Sequence, residues 1–168
     1  MDAMKNLKLS TLILAVLPLA LLTSGCKEKS APGSSGSGGT AGFSIPAQPP
    51  VPGDLVVTAE LVDIAGQFPP NDLYNYAYVM KYRVIQVVQG TYADSVILVG
   101  QYNPRLAREE IKDEQDANVG GNVKSFQGGD VHYLVLKAMD GFFTGAVEEN
   151  YFADKRPRYW ALWTDKAK

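Results

Sequence analysis

The sequence predicts a mainly β protein, a small five-stranded barrel with one surface helix, formed by residues 54–168. Three observations carry this. Residues 78–102 form two arms rich in Val, Ile and Tyr around a turn at 89–94, and such residues suit a pleated, half-buried surface. In the first arm Tyr78, Met80, Tyr82 and Val84 share one face, after which the apolar phase moves to Ile85 and Val87. A period of two that slips by one residue marks a β-bulge, which bends and twists a strand. The second arm, Val96-Ile97-Leu98-Val99, is apolar on both faces and reads as central.

The remaining elements follow in order. Residues 55–64 alternate as a first strand, with Leu55, Val57, Ala59 and Leu61 on one face. A loop with one Gly and two Pro spans residues 65–72. Asn103-Pro104 ends the central pair, because proline is excluded from a central strand. Residues 105–119 are rich in helix formers and carry a thin stripe of Leu106 and Ile111, which predicts a surface helix closed by Gly120-Gly121. A turn at 126–130 leads into a strand at 131–138, and Asp140-Gly141 is a further turn. Residues 146–157 are polar, with Tyr151 and Phe152 as expected anchors, and residues 158–164 read as the last strand.

This order resembles the five-stranded OB-type Greek-key barrel. Tyr82 through Gly90, Val96 through Val99, Phe126 through Gly129 and Tyr133 through Leu136 are similar to the netrin-module and TIMP-like branch of that fold. The resemblance implies a compact barrel. It does not transfer that family's zinc-directed protease inhibition, which uses a free N-terminal cysteine, and the family's usual disulfides have no counterpart in residues 54–168.

The N-terminus reads as an address. Lys5 and Lys8 precede a short apolar run at 11–22, well under the ~20 residues of a spanning helix, which is the pattern of a secretory signal. The run ends in Leu22-Thr23-Ser24-Gly25-Cys26, and Cys26 is the chain's single cysteine. LLTSGC resembles the lipobox of bacterial lipoproteins, with Thr23 where that family prefers Leu or Val. The resemblance implies that residues 1–25 are a signal peptide and that Cys26 is lipidated and becomes the mature N-terminus. The expected location is extracytoplasmic, on a bacterial membrane; Lys27 after the cysteine leans toward the outer membrane in a Gram-negative host. Residues 26–53 are the lipidated cysteine and a Gly/Ser/Pro tether with little to bury, expected to be disordered.

Charge and motifs limit the chemistry. Losing residues 1–25 removes one net positive charge and takes the chain from −2 to −3, which argues against a nucleic-acid partner. No nucleophile elbow, P-loop, dinucleotide fingerprint or HExxH motif occurs, and no cofactor is expected. His132, the single histidine, reads as structural, since no Cys or second His can join it in a triad or zinc site. Glu110 and Glu114 would share a helix face, but Arg105, Arg108 and Lys112 make that a solvated face; a second group, Glu148, Glu149 and Asp154, lies among Lys155, Arg156 and Arg158. No metal site is assigned to either.

Aromatic residues remain. Tyr82 and one of Trp160 and Trp163 read as core. Tyr74 and Tyr76, beside Asn71 and Asp72, are the candidate binding residues, since loops on a rigid sheet carry function and exposed tyrosines make good anchors. The reading is a membrane-anchored, non-enzymatic binding or envelope-assembly module whose partner is an envelope protein or polysaccharide. The alternative is a small envelope hydrolase using carboxylates, with or without His132.

Overall fold

Among the described residues there are seven strands: β1 (Leu55–Asp63), β2 (Tyr76–Gln89), β3 (Val96–Tyr102), β4 (Gly120–Gly121), β5 (Val131–Ala138), β6 (Ala146–Glu148) and β7 (Arg158–Lys166). β1, β2, β3, β5 and β7 form where the alternation of apolar residues places them, and the short β4 and β6 are additions it did not announce. The computed structural model describes residues 49–167. The expectations for the signal peptide, Cys26 and the tether as far as residue 48 lie outside the described residues.

Five strands close a barrel. β1 pairs antiparallel with β2 and with β5, β2 with β3, and β5 with β7; a parallel β3–β7 seam completes the ring. This is the strand order of a small OB-like barrel. Its interior holds Val57, Ala59 and Leu61 from β1, Met80 and Tyr82 from β2, Ile97 and Val99 from β3, Leu134 and Leu136 from β5, and Ala161 from β7. The predicted bulge is present. Thr58 pairs with Gln86 and Ala59 with Val84, so Ile85 is the extra residue. Ile85 itself turns outward, 56% exposed, and the core pattern resumes at Val87. A second slip, at Val88, adds to the bend.

The two glycine-marked turns need their glycines. Gly90 has φ +85, and a Cβ there would meet the Asp54 carbonyl oxygen at 2.6 Å. Gly121 has φ +123 and packs against the Thr164 backbone, which lets β4 lie parallel to β7.

The predicted helix at 105–119 is absent. Two single 3₁₀ turns, Arg108–Glu110 and Asp116–Asn118, stand in an otherwise extended strap, and Gly120-Gly121 forms β4 instead of a helix cap. The physical reason is visible in the residues. A helix would set Glu109 against Asp113 and Glu110 against Glu114, like charges four apart, and would bury only a thin stripe. The strap instead buries Ala107, Arg108, Ile111 and Val119 along a mostly extended path. Ile111 and Val119 join Tyr102, Met139 and Trp160 in a second core outside the barrel.

Asn103 sets the strap's departure from β3. It is the only non-glycine at positive φ among the described residues, at +37. Its side chain accepts from the Tyr76 amide at 3.1 Å and donates to Asn75 Oδ1 at 2.8 Å, and its backbone N–H bonds the Tyr76 carbonyl. These bonds also explain why β2 starts at Tyr76, two residues before the expected start. Asn103→Ala is expected to lose about 2 kcal/mol in urea unfolding, through the buried bonds and the left-handed backbone. Asn103→Gly, which keeps the conformation, should lose less. Equal stability of all three proteins would remove Asn103 from this role.

Candidate functional site: two joined loops and the groove beside them

The loop between β1 and β2 and the loop between β5 and β7 meet at one end of the barrel. β6, inside the second loop, runs parallel to the start of β2, with Tyr76 opposite Ala146 and Tyr78 opposite Glu148. Tyr74 Oη donates to Glu148 Oε1 at 2.6 Å, and Asn150 Nδ2 donates to the Ala65 carbonyl at 2.6 Å. Tyr151 Oη donates to Asp63 Oδ2 at 2.9 Å. Arg158 fixes the second loop from below. Its Nε and Nη2 grip both oxygens of Glu149 at 2.9 and 3.0 Å, and its other N–H groups reach the carbonyls of Tyr151, Asp154 and Arg156. A bidentate, partly buried pair of this kind is a strong local constraint.

The four residues singled out from sequence separate here. Tyr74 is 41% exposed and lies at the junction of the loops. Its hydroxyl pKa is raised, first by the bond to Glu148. Asp72 is exposed on the same loop. Asn71 is half-buried, and both polar atoms of its amide are shielded without a hydrogen-bond partner. Tyr76 is fully buried in the barrel core, with its hydroxyl on the Pro69 carbonyl at 2.6 Å; burial pushes its pKa up to about 12. It supports Tyr74, whose ring meets it edge-on at 5.7 Å, and it is not a surface anchor. The anchors expected in residues 146–157 also separate: Tyr151 is buried against Val79 and Leu98, whereas Phe152 is 71% exposed.

Exposed apolar residues gather on these loops. Six large hydrophobic side chains among the described residues are exposed: Val62, Leu73, Tyr74, Ile85, Val147 and Phe152. All except Ile85 sit in the two loops or at the β1 end that feeds them. Leu73 is 75% exposed beside Tyr74, and Val147, 44% exposed on β6, lies opposite Ala77, on the face of that strand away from the Glu148 that Tyr74 holds. Apolar side chains gathered around a polar rim are the usual mark of an interaction surface.

A groove of about 260 Å³ opens beside this patch, lined by Asn75, Tyr102, Glu114, Gln115, Phe142 and Phe143. Its floor is rigid. Phe143 stacks on Trp160 with ring centroids 4.4 Å apart, and Tyr102 meets both rings edge-on or tilted. Tyr102 Oη is 3.0 Å from Asp113 Oδ2 and 3.2 Å from Glu114 Oε1, and Asn75 Nδ2 donates to the same Glu114 oxygen at 3.3 Å. Hydrogen bonds from its own backbone N–H, Asn75 and Tyr102 hold the Glu114 carboxyl below the usual range.

The barrel interior holds a separate polar chain. Thr164 Oγ1 donates to Gln101 Oε1 at 3.2 Å, Gln101 Nε2 lies 3.4 Å from Tyr82 Oη, and Tyr82 Oη lies 3.2 Å from His132 Nδ1. His132 is fully buried against Tyr82 and Phe126, and its Nε2 has no partner. Burial lowers its pKa to about 4, against an opposing pull from Asp130. Arg108, 2% exposed, covers the barrel mouth over the Phe126 ring. Its Nη2 bonds the Asn103 and Leu106 carbonyls at 3.0 Å, and burial lowers its pKa to about 10. The charge pattern of the sequence puts Arg108 on a solvated face; in the structure the strap carries it inward.

The carboxylates gather no metal set: among the described residues no group of three or more His, Cys, Asp or Glu is placed to hold an ion. Lys112 pairs with Asp116, Arg156 with Asp154 and Arg158 with Glu149. Sequence reading missed Leu73, whose one signal is an apolar residue in a polar loop. Glu114 and Phe143 were not legible as neighbours, because the strap and the second loop meet only through the fold. Compared with known protein families, curated proteins and solved structures, the chain matches none.

Proposed function

We propose that this chain is a bacterial lipoprotein, held by lipid on Cys26 at an extracytoplasmic membrane face, and that its OB-like, netrin-module-like barrel is a binding or assembly module. The address rests on the apolar run ending in Thr23-Ser24-Gly25-Cys26. The single observation that carries the binding role is the gathering of exposed apolar side chains on two loops that are hydrogen-bonded to each other and braced by a closed barrel. A braced patch costs little ordering entropy on binding, so its apolar area contributes more of its energy to affinity. Leu73, Tyr74 and Val147 are the contact residues, with Asp72 at the rim, and Tyr76 positions Tyr74. The hydrolase reading receives no such support, since His132 is enclosed between Tyr82 and Phe126 with no carboxylate bonded to it.

Anchoring is tested by fractionating cells that express the full chain. The wild type is expected in membranes and Cys26→Ser in the soluble fraction. Equal membrane association of the two proteins would remove the lipid anchor from the account.

A further inference from the structure

Building on the docking reading above, we propose that the partner is a basic protein segment, which sets an apolar side chain on Leu73 and Val147 and a lysine or arginine in the adjoining groove.

Charge complementarity selects this occupant. Asp72, Asp113, Glu114, Asp140 and Glu148 lie on or beside the patch and the groove, and none of them is in an ion pair of 4 Å or less among the described residues. Arg158 and Arg156 are paired with Glu149 and Asp154, and Lys155, the remaining basic residue of the second loop, donates to the Phe152 carbonyl. Arg105, beside the Tyr76 hydroxyl, is the basic side chain left on the strap side. No basic side chain lines the groove. Two carboxylates sharing one tyrosine hydroxyl repel each other, and an incoming cation relieves that repulsion.

The aromatic floor points the same way. A cation over an aromatic face is attracted by the ring quadrupole. The described residues hold three such contacts: Lys137 Nζ lies 5.2 Å from the Phe142 centroid, Lys81 Nζ 4.6 Å from that of Tyr151, and Arg108 Cζ 5.2 Å from that of Phe126. Phe143 has the same ring chemistry at the groove, is held in place by Trp160, and has no such lysine among the cation–ring pairs of the described residues. The groove's volume of about 260 Å³ accommodates a lysine or arginine side chain. The apolar stem of either residue would lie on the rings while its charged head reaches Glu114 and Asp113.

The test uses the full chain, isotope-labelled and solubilised in detergent. Four probes are titrated: end-blocked Leu-Gly-Lys-Gly, its arginine form, its Nε-acetyl-lysine form, and uncharged chitotriose. The lysine and arginine probes are expected to shift the side-chain amide signals of Asn75 and Gln115 saturably. The acetylated probe should bind at least tenfold more weakly, and Glu114→Gln, an exposed substitution, should abolish the difference between charged and acetylated probes. Binding of chitotriose alone, equal binding of the acetylated probe, shifts located elsewhere or no shift at all would each overturn the basic partner. Docking through Leu73 is read separately by crosslinking. A chain that crosslinks through Leu73 yet ignores the charged probes refutes the basic partner and leaves the docking surface standing.

Discussion

Trp160→Ala should lose about 3–5 kcal/mol of stability, the largest effect of any single substitution considered for this protein. Trp160 is fully buried outside the barrel, where β7 meets both the strap and the second loop. One face stacks on Phe143 at 4.4 Å, its edges meet Tyr102 and Phe142, and its Nε1 donates to the Asn118 carbonyl at 2.9 Å. Alanine removes the packing from one side of the groove and the hydrogen bond that ties down the strap. Trp160→Phe keeps an aromatic stack and should lose clearly less. The midpoint of urea unfolding measures both. A loss under about 1 kcal/mol for the alanine variant would mean that the second core is not part of the cooperative unit.

Acidification should be nearly as damaging, through His132. Its ordinary pKa of 6.5 falls to about 4 in the folded protein because burial penalises the charged ring. The folded state therefore binds fewer protons than the unfolded chain between these values. The stability in question is fully present above pH 6.5 and is lost as the pH falls toward 4, a loss of roughly 3 kcal/mol. Asp130 and Lys166, the charges that face the ring, act in opposite directions and partly cancel. His132→Gln lacks the titration. Comparing the two proteins by urea unfolding at pH 7.5 and pH 4.5 isolates the histidine from the carboxylates common to both. If wild type and His132→Gln lose the same stability between those conditions, the ring is not held neutral by burial.

The barrel was legible in the sequence because its signals are local. The slip at Val84-Ile85 became a bulge one residue wide, and Asn103-Pro104 ended β3 where expected. The strand at 131–138 has the bounds its alternation gave. The strap was not legible. Its helix-forming composition was overruled by acidic repulsion four residues apart and by tertiary burial of Ile111, Val119 and Arg108. Nothing in the order of residues says that Arg108 turns inward, since arginine is almost never fully buried without a partner. The candidate site was half legible. Tyr74 stood out as an aromatic in a polar loop, but Tyr76 shares its spacing and differs only because β2 starts at Tyr76 and carries it into the core. Val147, Glu114 and Phe143 reach the same end of the molecule through contacts between distant segments, which no local pattern records.

The central claim, that this barrel works through its two joined loops, is tested most directly by site-specific photocrosslinking in the expressing cells. A photoreactive phenylalanine analogue is placed at Leu73, at Val147 and at Ile85 in the full chain. Ile85 is the control, because it is 56% exposed on the bulge of β2, away from both loops. The account predicts one shared adduct from Leu73 and Val147, identified by mass spectrometry, and none from Ile85. Adducts of equal yield from all three positions, or an adduct from Ile85 alone, would contradict it.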